Sequence, residues 1–288
     1  MSDDARALLS VALEAAGVAG ELVRTRLPGA VTAKGDRDMA TEVDYAVERA
    51  VRDHLRERTP QVGFLGEEEA AGTGWEPGAG LRWVLDPVDG TVNFVHGLPL
   101  CAVSLGLVRG DVPVLGVIEL PFLGSRYAAA EGCGATVDGR PIKASGAVAL
   151  SAALVSVGDF AVGDGAPEAN RLRLAITGLL AERAQRVRMF GSAAIDLAWV
   201  AEGRTDACLM MNNRPWDTAA GVAIAREAGA LVVDRDGTPH TMRSTATVCA
   251  APGVLTEVLQ IVREARSGTA NGDMTNHGDA NVAGDAGR

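Results

Sequence analysis

Two stretches near the start of the chain place apolar residues at helical spacing. From 5 to 26 they recur every three or four positions, and Pro28-Gly29 ends the run. The second stretch begins at Thr41, where Thr41-x-x-Asp44 has the spacing of a capping box, and it ends before Thr59-Pro60. The pattern therefore predicts two amphipathic helices that pack together at the beginning of the fold.

The pattern then changes to short apolar runs separated by glycine, which is typical of strands. The runs lie at 62–65, 83–85, 102–108, 112–119 and 126–130. Arg109-Gly110-Asp111 separates two of them and predicts a hairpin turn. Helices followed by consecutive antiparallel strands indicate an α+β arrangement.

After about Lys143 the predicted strands and helices alternate, which favours an α/β arrangement. Strands are predicted at 153–157, 187–190, 207–211 and 231–234, and helices at 167–182, 193–202 and 218–228. We therefore divide the chain into an N-terminal α+β half at 1–143 and a C-terminal α/β half at 144–266. Residues 267–288 contain little that could be buried, and a disordered tail is predicted there.

Composition and charge exclude several classes of protein. The chain has 288 residues, of which 47% are hydrophobic and 22% charged, a globular balance. Its 27 basic and 37 acidic residues give a net charge of -10, which disfavours nucleic-acid binding. No run approaches the roughly 20 apolar residues of a membrane span, and an acidic N-terminus is unlike a signal peptide. We expect a cytoplasmic protein without membrane or nucleic-acid partners.

Acidic residues occur in three short motifs that follow predicted strands or open a predicted helix: Gly66-Glu67-Glu68-Glu69, Asp86-Pro87-Val88-Asp89-Gly90-Thr91 and Pro215-Trp216-Asp217. Taken singly, they would be explained by a solvated turn, a type I turn and a helix cap. Asp86 and Asp89, however, would repel each other unless a cation lay between them, and hard oxygen ligands suit Mg²⁺. The N–H groups of Gly90 and Thr91 could bind a phosphate if a helix begins there.

These motifs, in this order, resemble those of the inositol monophosphatase family, a superfamily of magnesium-dependent, lithium-sensitive phosphatases. The similar segments are Lys34 to Asp44 (D-x-x-T-x-x-D), Gly66-Glu67-Glu68 (G-E-E), Asp86 to Phe94 (D-P-x-D-G-T-x-N-F), Gly191-Ser192-Ala193-Ala194 (G-[ST]-A-A) and Trp216 to Gly221 (W-D-x-A-A-G). The resemblance covers 5–266. It implies a layered α/β/α/β/α sandwich of the inositol monophosphatase and fructose-1,6-bisphosphatase type, with the acids in the crevice between the halves. It also implies a homodimer.

The resemblance implies roles for individual residues as well. One Mg²⁺ would be held by Glu67, Asp86 and the main-chain carbonyl of Val88, and a second by Asp86, Asp89 and Asp217. Asp44 would bind a further, weaker metal through water. Glu67 and Thr91 would position a water for in-line attack on a phosphate held by the N–H groups of Gly90 and Thr91. Substrate contacts would come from Asp89, Gly191, Ser192, Ala193, Met210, Arg214 and Asp217.

The identity of the substrate depends on a few positions. Thr91-Val92-Asn93-Phe94 is similar to the inositol monophosphatase type, which favours inositol 1-phosphate or a related cyclitol or sugar phosphate. Met210 lies where the family usually has a glutamate that accepts hydrogen bonds from ring hydroxyls, and Asn212, Asn213 and Arg214 are polar residues near it. The alternatives are a phosphatase for histidinol phosphate, fructose 1,6-bisphosphate or adenosine 3',5'-bisphosphate, and a binding partner of the transcription machinery. The intact metal carboxylates favour an enzyme.

Overall fold

The computed structural model of the chain describes residues 2–35, 38–70, 78 and 80–275. Its helices are α1 (Ser2–Thr25), α2 (Glu42–Arg58), α3 (Thr91–Val95), α4 (Ala166–Arg183), α5 (Ala193–Glu202), α6 (Pro215–Glu227) and α7 (Leu255–Thr275), with one 3-10 turn at Leu150–Ala152. No helix in this part of the chain has the length and apolar character that a membrane span requires.

The larger sheet has seven strands in chain order: β3 (Gly63–Gly66), β4 (Leu81–Asp89), β5 (Ala102–Arg109), β6 (Val112–Leu120), β7 (Ser125–Ala130), β8 (Ala135–Val137) and β9 (Arg140–Pro141). The β3 and β4 strands are parallel, and every later neighbouring pair is antiparallel. A separate antiparallel hairpin is formed by β1 (Val31–Gly35) and β2 (Asp38–Thr41). The predicted turn at Arg109-Gly110-Asp111 joins the antiparallel β5 and β6 strands, as expected.

The smaller sheet has five strands, ordered β11-β10-β12-β14-β13. They are β10 (Leu154–Val157), β11 (Arg186–Arg188), β12 (Ala207–Met210), β13 (Leu231–Val233) and β14 (Thr247–Ala250). The β10 strand is parallel to β11 and β12, whereas β14 is antiparallel to β12 and β13. The predicted alternation of strands and helices is therefore present, but the sheet it builds is mixed.

Helices and sheets are stacked in five layers. The α1 and α2 helices cover one face of the larger sheet, α5 and α6 lie between the two sheets, and α4 and α7 cover the outer face of the smaller sheet. Each interface has its own apolar cluster, with Leu85 in the first, Ile224 in the second and Val258 in the third. This arrangement confirms the predicted α/β/α/β/α sandwich.

The α6 helix approaches the larger sheet so closely that only glycine fits beneath it. A Cβ atom added at Gly116 would lie 2.2 Å from the carbonyl oxygen of Ala220, and one added at Gly106 would lie 2.7 Å from the Cβ of Ala219. Real Cβ atoms do not approach other atoms so closely. The backbone of two strands in one half therefore determines the position of a helix from the other half.

Several elements were not predicted from the sequence. The strands β1, β2, β8, β9 and β14 and the helix α7 are additions to the predicted set. The strands β1, β2, β8 and β9 are short and partly exposed. The β14 strand is buried because it pairs with β12, and it does not lie in a long apolar run. The α7 helix extends into the segment predicted as a tail, up to Thr275. The rest of that tail, 276–288, lies outside the described residues.

Candidate active site

Asp86, Val88 and Asp89 lie within the β4 strand, which continues past the predicted end at 85. The structure therefore has a strand where a type I turn was the alternative. Pro87 has no N–H to donate, and the register between β4 and β5 shifts between Asp86 and Asp89. Asp86 is 3% exposed and Asp89 is 8% exposed. Two buried carboxylates are thus held by the sheet at an irregular point of its ladder.

A short helix begins directly after these acids, as the phosphate-binding hypothesis requires. Gly90 precedes the α3 helix with a φ of 87°, and a Cβ atom there would lie 3.0 Å from the carbonyl oxygen of Gly191. Glycine is needed for this conformation and this close approach. The first N–H groups of a helix have no partner within it. The hydroxyl of Thr91 is 2.9 Å from the carbonyl oxygen of Val88 and 3.3 Å from Oδ1 of Asp44.

Asp44 and Asp217 occupy equivalent positions at the starts of two helices. Oδ2 of Asp44 accepts hydrogen bonds from the N–H of Thr41 at 2.8 Å and from its hydroxyl at 2.5 Å, which confirms the predicted capping box. Oδ2 of Asp217 accepts a hydrogen bond from the N–H of Arg214 at 2.6 Å. Both acids therefore cap a helix, and each retains a second oxygen for another partner.

Asp89 joins the two halves of the molecule. Its Oδ2 accepts hydrogen bonds from the hydroxyl of Ser192 at 2.5 Å and from the N–H of Ala194 at 2.7 Å, and its Oδ1 accepts one from the N–H of Ala193 at 3.3 Å. The N-terminus of the α5 helix is therefore bound to the β4 strand. Contacts of Gly191, Ser192 and Ala193 with a substrate stay a prediction.

The environment of Glu67 includes residues that the sequence reasoning missed. Glu67 follows the β3 strand, and its Oε1 is 2.6 Å from Nζ of Lys34, which also lies 3.0 Å from Oε1 of Glu68. Glu48 accepts hydrogen bonds from the N–H groups of Glu68 and Glu69 at 2.8 and 3.1 Å. Lys34 is 33 residues from Glu67, so no local pattern predicts this ion pair. The only signal in the sequence is that Lys34 begins the segment similar to D-x-x-T-x-x-D.

Four acids from both halves affect one another electrostatically. Burial raises the pKa of Asp86 well above its usual value, and the charges of Glu67, Asp89 and Asp217 raise it further. Burial also raises the pKa of Asp89 to about 6, although the hydrogen bonds from α5 act in the opposite direction. The pKa of Asp217 is raised to about 8, by burial and then by the charges of Asp89 and Glu67. The fold thus brings the three sequence motifs into one site.

The donor atoms of this site suit a divalent cation, but their side chains are not arranged around a single point. Within the described part of the chain, no three His, Cys, Asp or Glu side chains are grouped as a metal-binding cluster. Asp89 and Asp217 bind helix N-termini, and Glu67 binds Lys34. The oxygen donors and their mutual repulsion nevertheless suit Mg²⁺. Of the two carboxylate oxygens of Glu67, Lys34 contacts Oε1, so the second oxygen would be the one offered to the ion.

The proposed substrate loop is partly buried. Met210 ends the β12 strand, is 3% exposed and belongs to the apolar cluster between the sheets. The amide of Asn213 is already occupied, because it donates to the carbonyl of Ser244 at 3.0 Å and accepts from the hydroxyl of Thr247 at 3.0 Å. Asn212 and Arg214 are exposed. Of the polar residues near Met210, these two remain available to contact a substrate.

Comparison with known proteins agrees with this arrangement. The chain matches the inositol monophosphatase family over residues 4–267. It is 39% identical to inositol-1-monophosphatase ImpA of Mycolicibacterium smegmatis, covering 83% of this chain and 84% of that protein. It is 34% identical to a fructose-1,6-bisphosphatase/inositol-1-monophosphatase of Thermotoga maritima, covering 80% of this chain and 84% of that protein. A solved structure, the IMPase of Thermotoga maritima, superimposes with a TM-score of 0.80 at 30% identity, covering 91% of this chain and 98% of that one.

Proposed function

Because the chain belongs to the inositol monophosphatase family of phosphoric monoester hydrolases, we propose that it hydrolyses inositol 1-phosphate or a related cyclitol or sugar phosphate with Mg²⁺. The observation that supports this most directly is the coupling of Glu67, Asp86, Asp89 and Asp217, which come from both halves of the chain. They lie beside the helix start at Gly90, where a phosphate can be bound.

The acids divide into two ligand sets, as the resemblance implies. Glu67, Asp86 and the carbonyl of Val88 would hold one Mg²⁺, and Asp86, Asp89 and Asp217 a second, with Asp44 near a further weak site. Bound Mg²⁺ would supply charge neutralisation at the phosphate and a water of lowered pKa. Asp86 is common to both sets, which agrees with its pKa being raised by the charges of the other three acids.

Thr91 and Glu67 orient the attacking water. The Thr91 hydroxyl donates its hydrogen to the carbonyl of Val88 at 2.9 Å, so its oxygen lone pairs are free to accept a hydrogen from water. The carboxylate of Glu67 would accept the other hydrogen of the water. Lys34 is bound to Glu67 and therefore places its positive charge beside the same site.

Different elements would bind the phosphate and the rest of the substrate. The N–H groups of Gly90 and Thr91 at the start of α3 bind the phosphate, as helix N-termini do for anions. Arg214 is exposed at the start of α6, less than one turn before the proposed metal ligand Asp217, and binds the polyol portion. Arg214 can only donate hydrogen bonds, so it would contact the hydroxyl oxygens of the polyol rather than accept from them as the absent glutamate would.

Fructose 1,6-bisphosphate is the second candidate substrate. The Thermotoga maritima relative that is 34% identical to this chain is named for both fructose-1,6-bisphosphatase and inositol-1-monophosphatase activity. A site whose polyol contacts depend on one exposed arginine rather than on a glutamate would discriminate less between the two esters.

Phosphate release from a panel of esters tests the proposal. The panel is inositol 1-phosphate, fructose 1,6-bisphosphate, histidinol phosphate and adenosine 3',5'-bisphosphate, each with Mg²⁺ and with EDTA. Glu67→Gln should abolish turnover, whereas Glu69→Gln should not, because Glu69 belongs to the same acidic motif but pairs with Arg52 at the surface. Equal activity of the two variants, or no release from any ester, would refute the proposed reaction.

A homodimer is also proposed, on the resemblance to the family. Sedimentation at micromolar concentration tests it separately from the chemistry, since the acids of the site all come from one chain. A monomer with full turnover would refute the proposed homodimer without contradicting the proposed reaction.

A further inference from the structure

A large cavity lies on the outer side of the smaller sheet. It is lined by the loop before α4, the first turns of α4, the residues that follow β12 and β13, and the last part of α7. Its volume is about 620 Å³, which is enough for a small phosphorylated molecule. Four arginines line it, together with two acids: Arg171, Arg173, Arg235, Arg266, Asp164 and Glu168. We call this cavity the arginine pocket. None of the four catalytic acids lines it.

The charge of the arginine pocket is opposite to that of the molecule. The chain as a whole has a net charge of -10, whereas this pocket has twice as many arginines as acids. Elsewhere in the described chain, Arg58, Arg109 and Arg183 each form an ion pair with a glutamate, whereas no ion pair between described residues includes these four. Unpaired guanidinium groups on an acidic protein are a site for an anion.

The environment of Arg173 gives the strongest support for an anion site in the arginine pocket. Arg173 is 7% exposed, and among the described residues its Nε atom has no hydrogen-bond partner and its side chain makes one long bond, of 3.5 Å from Nη1 to Oδ1 of Asn170. Burial lowers the pKa of this guanidinium. An unpaired buried charge is costly, and a bound anion would offset that cost.

The start of α4 adds a second source of positive potential. Gly165 precedes the helix in a left-handed conformation, and no side chain caps it. The N–H of Ala166 donates to the carbonyl of Gly163 at 3.2 Å and Pro167 has no N–H, so the positive potential here comes from the helix dipole. The pocket also includes Met211 and Asn212, which immediately precede the residues that lead to Asp217. A ligand in the pocket would therefore contact the loop that joins β12 to α6.

We propose that the arginine pocket is a second anion site, separate from the catalytic acids, for a small molecule with two or more phosphate groups. Arg173 binds one phosphate group from within the cavity, and Arg171, Arg235 and Arg266 bind the others at its rim. The size of the cavity accommodates a polyphosphorylated metabolite, and the neighbouring Asp164 and Glu168 can accept hydrogen bonds from its hydroxyl groups.

Calorimetric titration of the full chain with inorganic pyrophosphate in EDTA tests this site, because without metal the catalytic acids repel anions. We expect saturable binding that weakens about ten- to hundredfold in Arg173→Gln, as for the loss of a hydrogen bond between charged groups. Arg183→Gln is the matched control, since Arg183 lies on the same helix but pairs with Glu264 at 2.7 Å. Arg235 lies on an exposed turn, so Arg235→Gln should fold and tests the same pocket if Arg173→Gln does not fold.

The outcomes separate this site from the catalytic one. Absence of saturable pyrophosphate binding at millimolar concentration would overturn the proposal, as would equal binding by Arg173→Gln, Arg235→Gln and Arg183→Gln. If Arg173→Gln binds pyrophosphate normally but raises the KM for a phosphate ester with Mg²⁺, the pocket is an extension of the substrate site, and a separate site is excluded. Asp89→Asn should bind pyrophosphate in EDTA no more weakly than the wild type.

Discussion

Replacing Gly116 with alanine tests how the fold positions Asp217, a proposed metal ligand that belongs to the other half of the chain. The added Cβ would lie 2.2 Å from the carbonyl oxygen of Ala220, whereas ordinary contact begins near 3.4 Å. The α6 helix must therefore move away from β6 by about 1 Å, because a packed interior has no space to absorb the methyl group. Asp217 lies on the same helix, one turn before Ala220, and must move with it.

Two effects of different size follow from this displacement. Overpacking should lower the free energy of unfolding by about 1–3 kcal/mol, seen in urea unfolding and as a fall of several degrees in Tm. A misplacement of about 1 Å at a catalytic group lowers turnover about 100-fold. Phosphate release with Mg²⁺ at 25 °C should therefore fall far more than the remaining folded fraction can explain.

Gly178→Ala is the control for the loss of a glycine. Nothing lies within 4 Å of a Cβ at this position on α4, so the variant should keep its activity and gain about 0.5–1 kcal/mol of stability from helix propensity. Gly116→Ala with wild-type turnover and wild-type stability would show that α6 does not rest on the sheet at this point. A loss of stability with normal turnover would show that Asp217 is positioned by something else.

Four further predictions concern single residues and one ion. Asp89→Asn removes one of the coupled charges, so phosphate release should fall by orders of magnitude, while Tm in EDTA should change little, because relief of carboxylate repulsion offsets the weakened hydrogen bonds from Ser192 and Ala194. Burial lowers the pKa of His240 from 6.5 to about 4, so the unfolded chain takes up a proton first as the pH falls. Stability should therefore drop by up to about 3 kcal/mol between these values, and urea unfolding of His240→Gln should show a smaller drop. Met210→Glu buries a carboxylate among apolar side chains and should cost about 3 kcal/mol or more; unchanged stability with improved inositol 1-phosphate specificity would instead place position 210 against the substrate. Lithium at millimolar concentration should inhibit phosphate release, and insensitivity would count against the proposed metal sites.

Local features of the fold could be predicted from the sequence, because their causes lie within a few residues. The capping box of Thr41 and Asp44 depends on a spacing of three positions, and it is present. The α5 helix has the predicted bounds, since an apolar run between Ser192 and Gly203 leaves no other choice. The three acidic motifs are brought together as the resemblance implies, although no local pattern shows that β4 and α6 should meet.

Features that depend on distant parts of the chain were missed. The Lys34–Glu67 pair joins a hairpin strand to the end of β3, and neither residue has a local reason to face the other. The β14 strand is buried because it pairs with β12, and its short sequence gives no strand signal of its own. Arg173 on α4 reads as an ordinary surface arginine in the sequence, and only the surrounding loop and α7 enclose it. Tertiary packing, rather than propensity, determines each of these positions.

Three acids of the site each accept a hydrogen bond from a backbone amide at a helix start: Asp44 from Thr41, Asp89 from Ala194 and Asp217 from Arg214. An amide proton exchanges with solvent only when its hydrogen bond opens. A cation that fixes these carboxylates would therefore slow the exchange of three amides that are far apart in the sequence. Their combined protection would report ion binding in the absence of any substrate, and it would distinguish an ion shared by the acids from ions bound to each acid separately.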